Sequence, residues 1–151
     1  MHSGRLLDKL APCGLNCGKC FAYRKGDIKK FSSALRESLG KFDEHAKRFS
    51  ILLNTDVFDH HPSFKTQLDY FADTVCKGCR NEKCKLFQAC RVRECSKGKE
   101  VDFCFQCAEF PCKTTGFDEN LEKRWLQNNI LMKRIGIRTY YKQEKDKPRY
   151  Q

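Results

Sequence analysis

The chain has 151 residues, 11 of them cysteine and 12 phenylalanine, with 40% hydrophobic residues and 30 Lys plus Arg against 19 Asp plus Glu, a formal charge of +11. That length predicts one domain, 1–151, able to bury roughly 70% of its unfolded surface, which excludes a disordered chain. No apolar run nears the roughly 18 residues of a membrane span and MHSGRLLDKLAP lacks the apolar core of a secretory leader, so a cytoplasmic protein is expected, whose odd number of reduced thiols points to metal rather than disulfides.

In chain order the first chemistry is Cys13, Cys17 and Cys20, the last two forming Cys17-Gly-Lys-Cys20. Two intervening residues let a tight turn aim both sulfurs at one ion, as a zinc site with Zn–S distances of about 2.3 Å requires. A stretch of 55 residues without cysteine follows. Within it Ile28, Phe31, Leu35, Leu39, Phe42, Ala46, Phe49 and Leu53 step by three or four, which predicts an amphipathic helix over about 27–54. Asp27 is its candidate N-cap, Asn54 its candidate end, and Gly40 a position that bends or splits it. The apolar stripe is expected to lie on the metal-bound core, a dimer seam being the alternative. Pro62 then suits the first position of a second helix, 62–75, which carries Phe64, Leu68, Phe71 and Val75 and delivers Cys76-Lys-Gly-Cys79.

From Cys76 to Cys112 the chain places Cys76, Cys79, Cys84, Cys90, Cys95, Cys104, Cys107 and Cys112 within 37 residues, including the third pair Cys104-Phe-Gln-Cys107. No period of 2 or 3.6 is sustained there, so short turns and at most a small hairpin are expected, with the backbone following metal ligation. Residues 1–112 thus read as a cysteine-rich metal-binding region and 113–151 as a helical extension with a basic end. Asp118 is a candidate cap for a helix bearing Leu121, Trp125, Asn129 and Met132, with Leu126 and Ile130, that stops before Gly136. A shorter helix from Ile137 is expected to bury Ile137, Tyr140 and Tyr141, and Trp125 reads as a core anchor.

All eleven cysteines, Cys13, Cys17, Cys20, Cys76, Cys79, Cys84, Cys90, Cys95, Cys104, Cys107 and Cys112, are candidate metal ligands. Two four-thiolate sites use eight of them, whereas three sites need twelve ligands and so one of His2, His45, His60 or His61. The His60-His61-Pro62 corner is the best-placed donor of that twelfth ligand, and the bland alternative for it is a solvated or helix-capping pair. Two or three zinc ions are therefore the expected cofactor. The rival is an iron–sulfur cluster, because thiolates hold iron as well as zinc and Cys13-x3-Cys17-x2-Cys20 has the spacing of the cluster triplet in radical S-adenosylmethionine enzymes. Lys19 stands where those enzymes usually carry an aromatic residue, and the chain is too short for their barrel.

Taken together, Ala11-Pro12-Cys13-Gly14-Leu15-x-Cys17-x-x-Cys20, Cys76-x-Gly78-Cys79-Arg80, Cys90-x4-Cys95 and Phe103-Cys104-x-x-Cys107-x-x-Phe110-Pro111-Cys112 resemble an uncharacterised prokaryotic cysteine-rich family, a domain of unknown function held to bind zinc. The resemblance spans residues 11 to about 112 and is expected to extend over the helical tail. It implies a metal-binding domain with these cysteines as ligands and supplies no reaction, substrate or partner. Some members of the family end in a further cysteine pair, where this chain ends in Lys147-Pro148-Arg149-Tyr150-Gln151, so no C-terminal zinc ribbon is carried over.

The positive charge is unevenly spread, residues 133–151 holding 7 basic and 2 acidic groups. Each zinc on four thiolates contributes a net −2, so two such sites would lower +11 to +7. Lys133, Arg134, Arg138 and Lys142, interleaved with Tyr140 and Tyr141, are candidate nucleic-acid contacts, although buried tyrosines beneath a solvated basic helix give the same string. Phosphate-loop, dinucleotide-binding and HExxH motifs are absent. The expectation is a small zinc-stabilised domain, mainly α-helical with irregular cysteine-rich segments and little β. Its role is expected to be that of a non-catalytic interaction module with a protein or nucleic-acid partner and no membrane contact, the alternative being an iron–sulfur redox protein or enzyme with a cluster on Cys13, Cys17 and Cys20.

Overall fold

Gly40 divides the first helical stretch in two. Its φ of +52° and ψ of −121° are closed to helix continuation, and its N–H ends the helix on Arg36 O at 3.1 Å. The computed structural model describes residues 6–150 and is mainly helical. In place of one helix over 27–54 it has α1 (Asp27–Leu39) and α2 (Phe42–Leu52). Asp27 lies in the first turn rather than at the cap, which is Gly26, and its carboxylate there suits the helix dipole. Asn54, with φ +48°, falls beyond the last turn.

A 3-10 turn, Val57–His60, leads into α3 (His61–Ala72), with Pro62 in its first turn as expected. The helix ends three residues before the expected boundary, and residues 73–75 carry the chain on to Cys76. α1 packs along α3, tied to its end by Arg36, which pairs with Asp73 at 2.9 Å and Asp69 at 3.4 Å. The expected placement of the apolar stripe on the metal-bound core is therefore corrected: Phe31 and Leu35 are 64% and 44% exposed, and Leu53 is 64% exposed. Only part of the stripe turns inward, where Phe42 stacks on Phe49 at 5.7 Å and meets Phe58 edge-on at 5.4 Å. Residues 27–72 thus form a helical unit with an aromatic cluster of its own.

Between Cys76 and Asp118 the chain is irregular apart from a short 3-10 turn and α4 (Val92–Gly98), a helix that the missing periodicity did not predict. It is held at its start by Arg91 N–H to Thr115 O at 2.9 Å and buries Val92 and Ser96. Asp118 caps α5 (Glu119–Ile135) by accepting from Leu121 N–H at 2.9 Å. α5 stops at Gly136, φ +83°, and α6 (Ile137–Glu144) follows. Among the described residues there is no β-strand, only an antiparallel bridge between Leu10 and Asn16 and a parallel one between Tyr23 and Cys76. None of their helices is long and apolar enough to cross a membrane.

The buried face of α5 covers the N-terminal loop. Leu121 and Trp125 pack with Ala11, Cys13, Leu15, Cys17 and Val92, while Met132 joins Leu10, Phe103 and Tyr140. Trp125 is the anchor expected of it, 1% exposed and edge-on to Phe110 at 5.2 Å. Backbone and contact together require glycine at position 14: its φ is +87°, and a Cβ there would stand 2.9 Å from Asn128 Cβ.

Candidate metal centre

Each of the three CxxC pairs occupies a turn fixed by its own backbone. In the first, Asn16 caps the 3-10 turn Cys17–Lys19 by accepting from Gly18 N–H at 2.9 Å, and Cys20 N–H donates to Cys17 O. In the second, Gly78 takes φ +93° and its N–H points at Cys76 Sγ, 3.4 Å away. The third repeats the first, with a 3-10 turn over Cys104–Gln106 and Cys107 N–H on Cys104 O. Such turns leave both sulfurs on one side.

Longer-range bonds bring the turns together. Cys76 N–H donates to Ala22 O at 3.1 Å and Arg24 N–H to Cys76 O at 2.9 Å, which sets the second pair beside the first. Cys104 N–H donates to Pro12 O at 3.1 Å, and Asn129 of α5 accepts from Phe105 N–H while donating to Cys13 O, both at 3.0 Å. Asn129 is fully buried. Replacing it with Ala strands these two backbone groups, so Asn129→Ala should cost about 3 kcal/mol in urea denaturation, and an unchanged midpoint would deny it this clasp role.

The cysteines are all free thiols and fall into two neighbourhoods with a pair between them. In the first, Cys79 stands within hydrogen-bonding reach of Cys17 and Cys84 and keeps its proton, which pushes Cys17 down to about 7 and Cys84 to about 5 while holding Cys79 far above its ordinary value. Arg149 adds positive charge beside Cys17 and Cys84. Cys20 and Cys76 line the same small void as these three. In the second neighbourhood Cys104 lies near Cys112, Cys95 and Cys107; burial raises it to about 11 against the opposing pull of the Trp125 indole N–H. That N–H is buried and makes no hydrogen bond among the described residues, and Cys104 is the ionisable group on which it acts. Thr114 Oγ1 donates to Cys112 Sγ at 3.4 Å. Cys13 and Cys90 stand between the two groups, both raised by burial, and line a void with Cys17, Cys79 and Cys84.

Thiols far apart in the chain, such as Cys17 and Cys84 at a separation of 67 residues, are thus neighbours, as a soft, thiophilic ion would need. Among the described residues, however, no group of three or more His, Cys, Asp or Glu side chains meets the geometry of a metal site. The fit lies in the donor set, its burial and the N–H groups aimed at sulfur. His61 is buried against Phe42 at 5.0 Å and Phe64 at 5.9 Å, inside the helical unit, while His45 and His60 are exposed; His2 lies outside the described residues. Lys133 and Arg134 at the end of α5 and Arg138 and Lys142 on α6 are exposed and line none of these voids.

Three residues that were not candidate ligands contribute: Arg80, a member of the Cys76-x-Gly78-Cys79-Arg80 motif, and Arg149 and Tyr150. Arg80 donates to Leu10 O at 2.8 Å and Asp102 O at 2.7 Å and lies over the Phe103 ring at 4.8 Å, joining the segments that carry the first and third pairs. From the far end of the chain, Arg149 donates to Asn16 O at 2.8 Å, and Tyr150 accepts from Phe21 N–H at 3.3 Å and reaches the Cys20 side chain. Both tail residues lie in the segment read only as a basic end without a cysteine pair.

A family model described as "Protein of unknown function (DUF3795)" matches residues 9–116, a span that contains every cysteine and ends before α5. No curated protein and no solved structure matches the chain.

Proposed function

The chain belongs to the DUF3795 family of proteins of unknown function, and we propose that it is a zinc-binding protein whose thiols hold structural ions in a non-catalytic interaction module. The observation that carries this reading is the convergence of Cys17, Cys79 and Cys84 in one neighbourhood and of Cys95, Cys104, Cys107 and Cys112 in another. The second set supplies the ligands of one four-thiolate site. The first, with Cys20 and Cys76, offers five thiols for another, and Cys13 and Cys90 are held in reserve beside it. Zinc bound there would cross-link segments distant in sequence, and a closed four-thiolate site leaves no position for substrate.

Metal content per chain, measured by plasma mass spectrometry on protein purified without oxygen, tests the reading. Two or three zinc with negligible iron is the expected result. About four iron with matching sulfide would move the chemistry to a cluster and make Cys13, Cys17 and Cys20 the place to look for catalysis. A protein partner is supported by the exposed Phe31, Ile51, Leu52, Leu53 and Val57 of the helical unit, a nucleic acid by the basic residues of α5 and α6. Binding that collapses between 50 and 200 mM salt would favour nucleic acid, and salt-insensitive binding the apolar surface.

A further inference from the structure

The C-terminal segment that reaches the thiols also closes a cleft of about 260 Å³ between Gly14–Asn16, α5 and the end of α6. Four cations line it, Lys19, Arg124, Lys147 and Arg149, against one carboxylate, Glu144. Two of the four are engaged: Lys147 pairs with Glu144 at 2.7 Å and Lys19 with Asp27 at 3.1 Å. Neither arginine has a carboxylate partner among the described residues. Arg124 donates to Arg149 O at 3.3 Å and Arg149 to Asn16 O at 2.8 Å, both neutral acceptors that leave further N–H groups of each guanidinium for a ligand. Gln127 and Asn128 add amide groups to the same wall.

We infer that this cleft binds a small phosphate-bearing molecule. A surplus of three positive charges on its lining suits a dianion better than a single carboxylate, and two arginine forks suit the oxygens of a phosphate. The volume lies just below the roughly 300–1,000 Å³ usual for small-molecule sites, which sets the ligand at the size of a sugar phosphate or mononucleotide. Arg149 shares its charge with Cys17 and Cys84, so Arg124 is the cation most available to the ligand. Arg124, Lys147 and Arg149 all lie beyond residues 9–116, and the inference does not depend on which metal the thiols hold.

Calorimetric titration of the full chain, at its measured metal content, with inorganic phosphate, AMP and a 5′-phosphorylated oligonucleotide tests it. The expected result is saturable one-to-one binding of AMP, weakened at least tenfold by Arg124→Gln and unchanged by Arg138→Gln, whose side chain lies outside the cleft. A melting curve establishes that Arg124→Gln folds; should it not, Lys147→Gln on the exposed terminal segment is expected to weaken binding about fivefold. The inference is overturned by no saturable binding of phosphate or AMP, by binding of the oligonucleotide alone, or by equal losses in the cleft and Arg138 variants.

Discussion

Treatment with a strong chelator under reducing conditions should abolish the cooperative thermal transition of this protein. The reason lies in what holds residues 76–118 in place. α4 is the only α-helix of that stretch, and its remaining order comes from turns and a few long-range bonds. Cys13, Cys17, Cys20 and Cys76 are themselves members of the buried clusters, so the thiols occupy positions that side-chain packing fills in other folds. Structural zinc contributes on the order of 10 kcal/mol of apparent binding energy per site, against about 5–15 kcal/mol for the net stability of a domain. Cys79→Ser removes the thiolate ligand between Cys17 and Cys84 and should reproduce the effect of the chelator in circular dichroism. A melting curve indifferent to both treatments would refute structural metal. Cys17→Ser separates the rival chemistry, since a structural ligand costs folding whereas a cluster ligand costs colour and activity in a chain that still folds.

Trp125→Ala should destabilise the protein by about 3–5 kcal/mol, read as a lowered urea midpoint. Trp125 is where α5 meets the thiol-bearing half: its ring touches Phe110 and packs in the cluster of Ala11, Cys13, Leu15 and Val92, and its N–H faces Cys104. Truncation opens a cavity at this junction and removes the group that favours the Cys104 thiolate. Trp125→Phe keeps most of the ring and loses the N–H, so a smaller loss of about 1–2 kcal/mol is expected. Should the Ala variant match the parent, α5 would not be integral to the cysteine-rich region.

The helical parts were the legible ones. Gly40, Pro62, Asp118 and Gly136 act through backbone conformation and capping, which are local, and each marks an observed boundary. The stripe from Ile28 to Leu53 was legible as helix but not in its orientation, because Phe31 and Leu35 share the spacing of residues that turn inward. α4 escaped because it is only 7 residues long. In the candidate site the identity of the thiols could be read while their grouping could not, since the neighbourhoods are set by bonds such as Cys104 N–H to Pro12 O and Asn129 to Cys13 O, between residues far apart in the chain. Arg149 and Tyr150 lay hidden for the same reason.

The order in which these contacts become available during synthesis follows from the sequence positions of the thiols. Cys79 follows Cys17 by 62 residues, so at about 5–20 residues per second the first pair waits about 3–12 s for its neighbours. The α1–α3 unit, built on its own contacts, emerges entirely within that interval and brings Cys76 back beside Tyr23. Arg149 and Tyr150 follow Cys112 by 37 and 38 residues and so emerge after all the thiols. Any ion taken up by the growing chain would therefore meet thiols not yet sealed by Arg149 and Tyr150, and the seal over Cys20 would close only after the cysteines up to Cys112 have emerged.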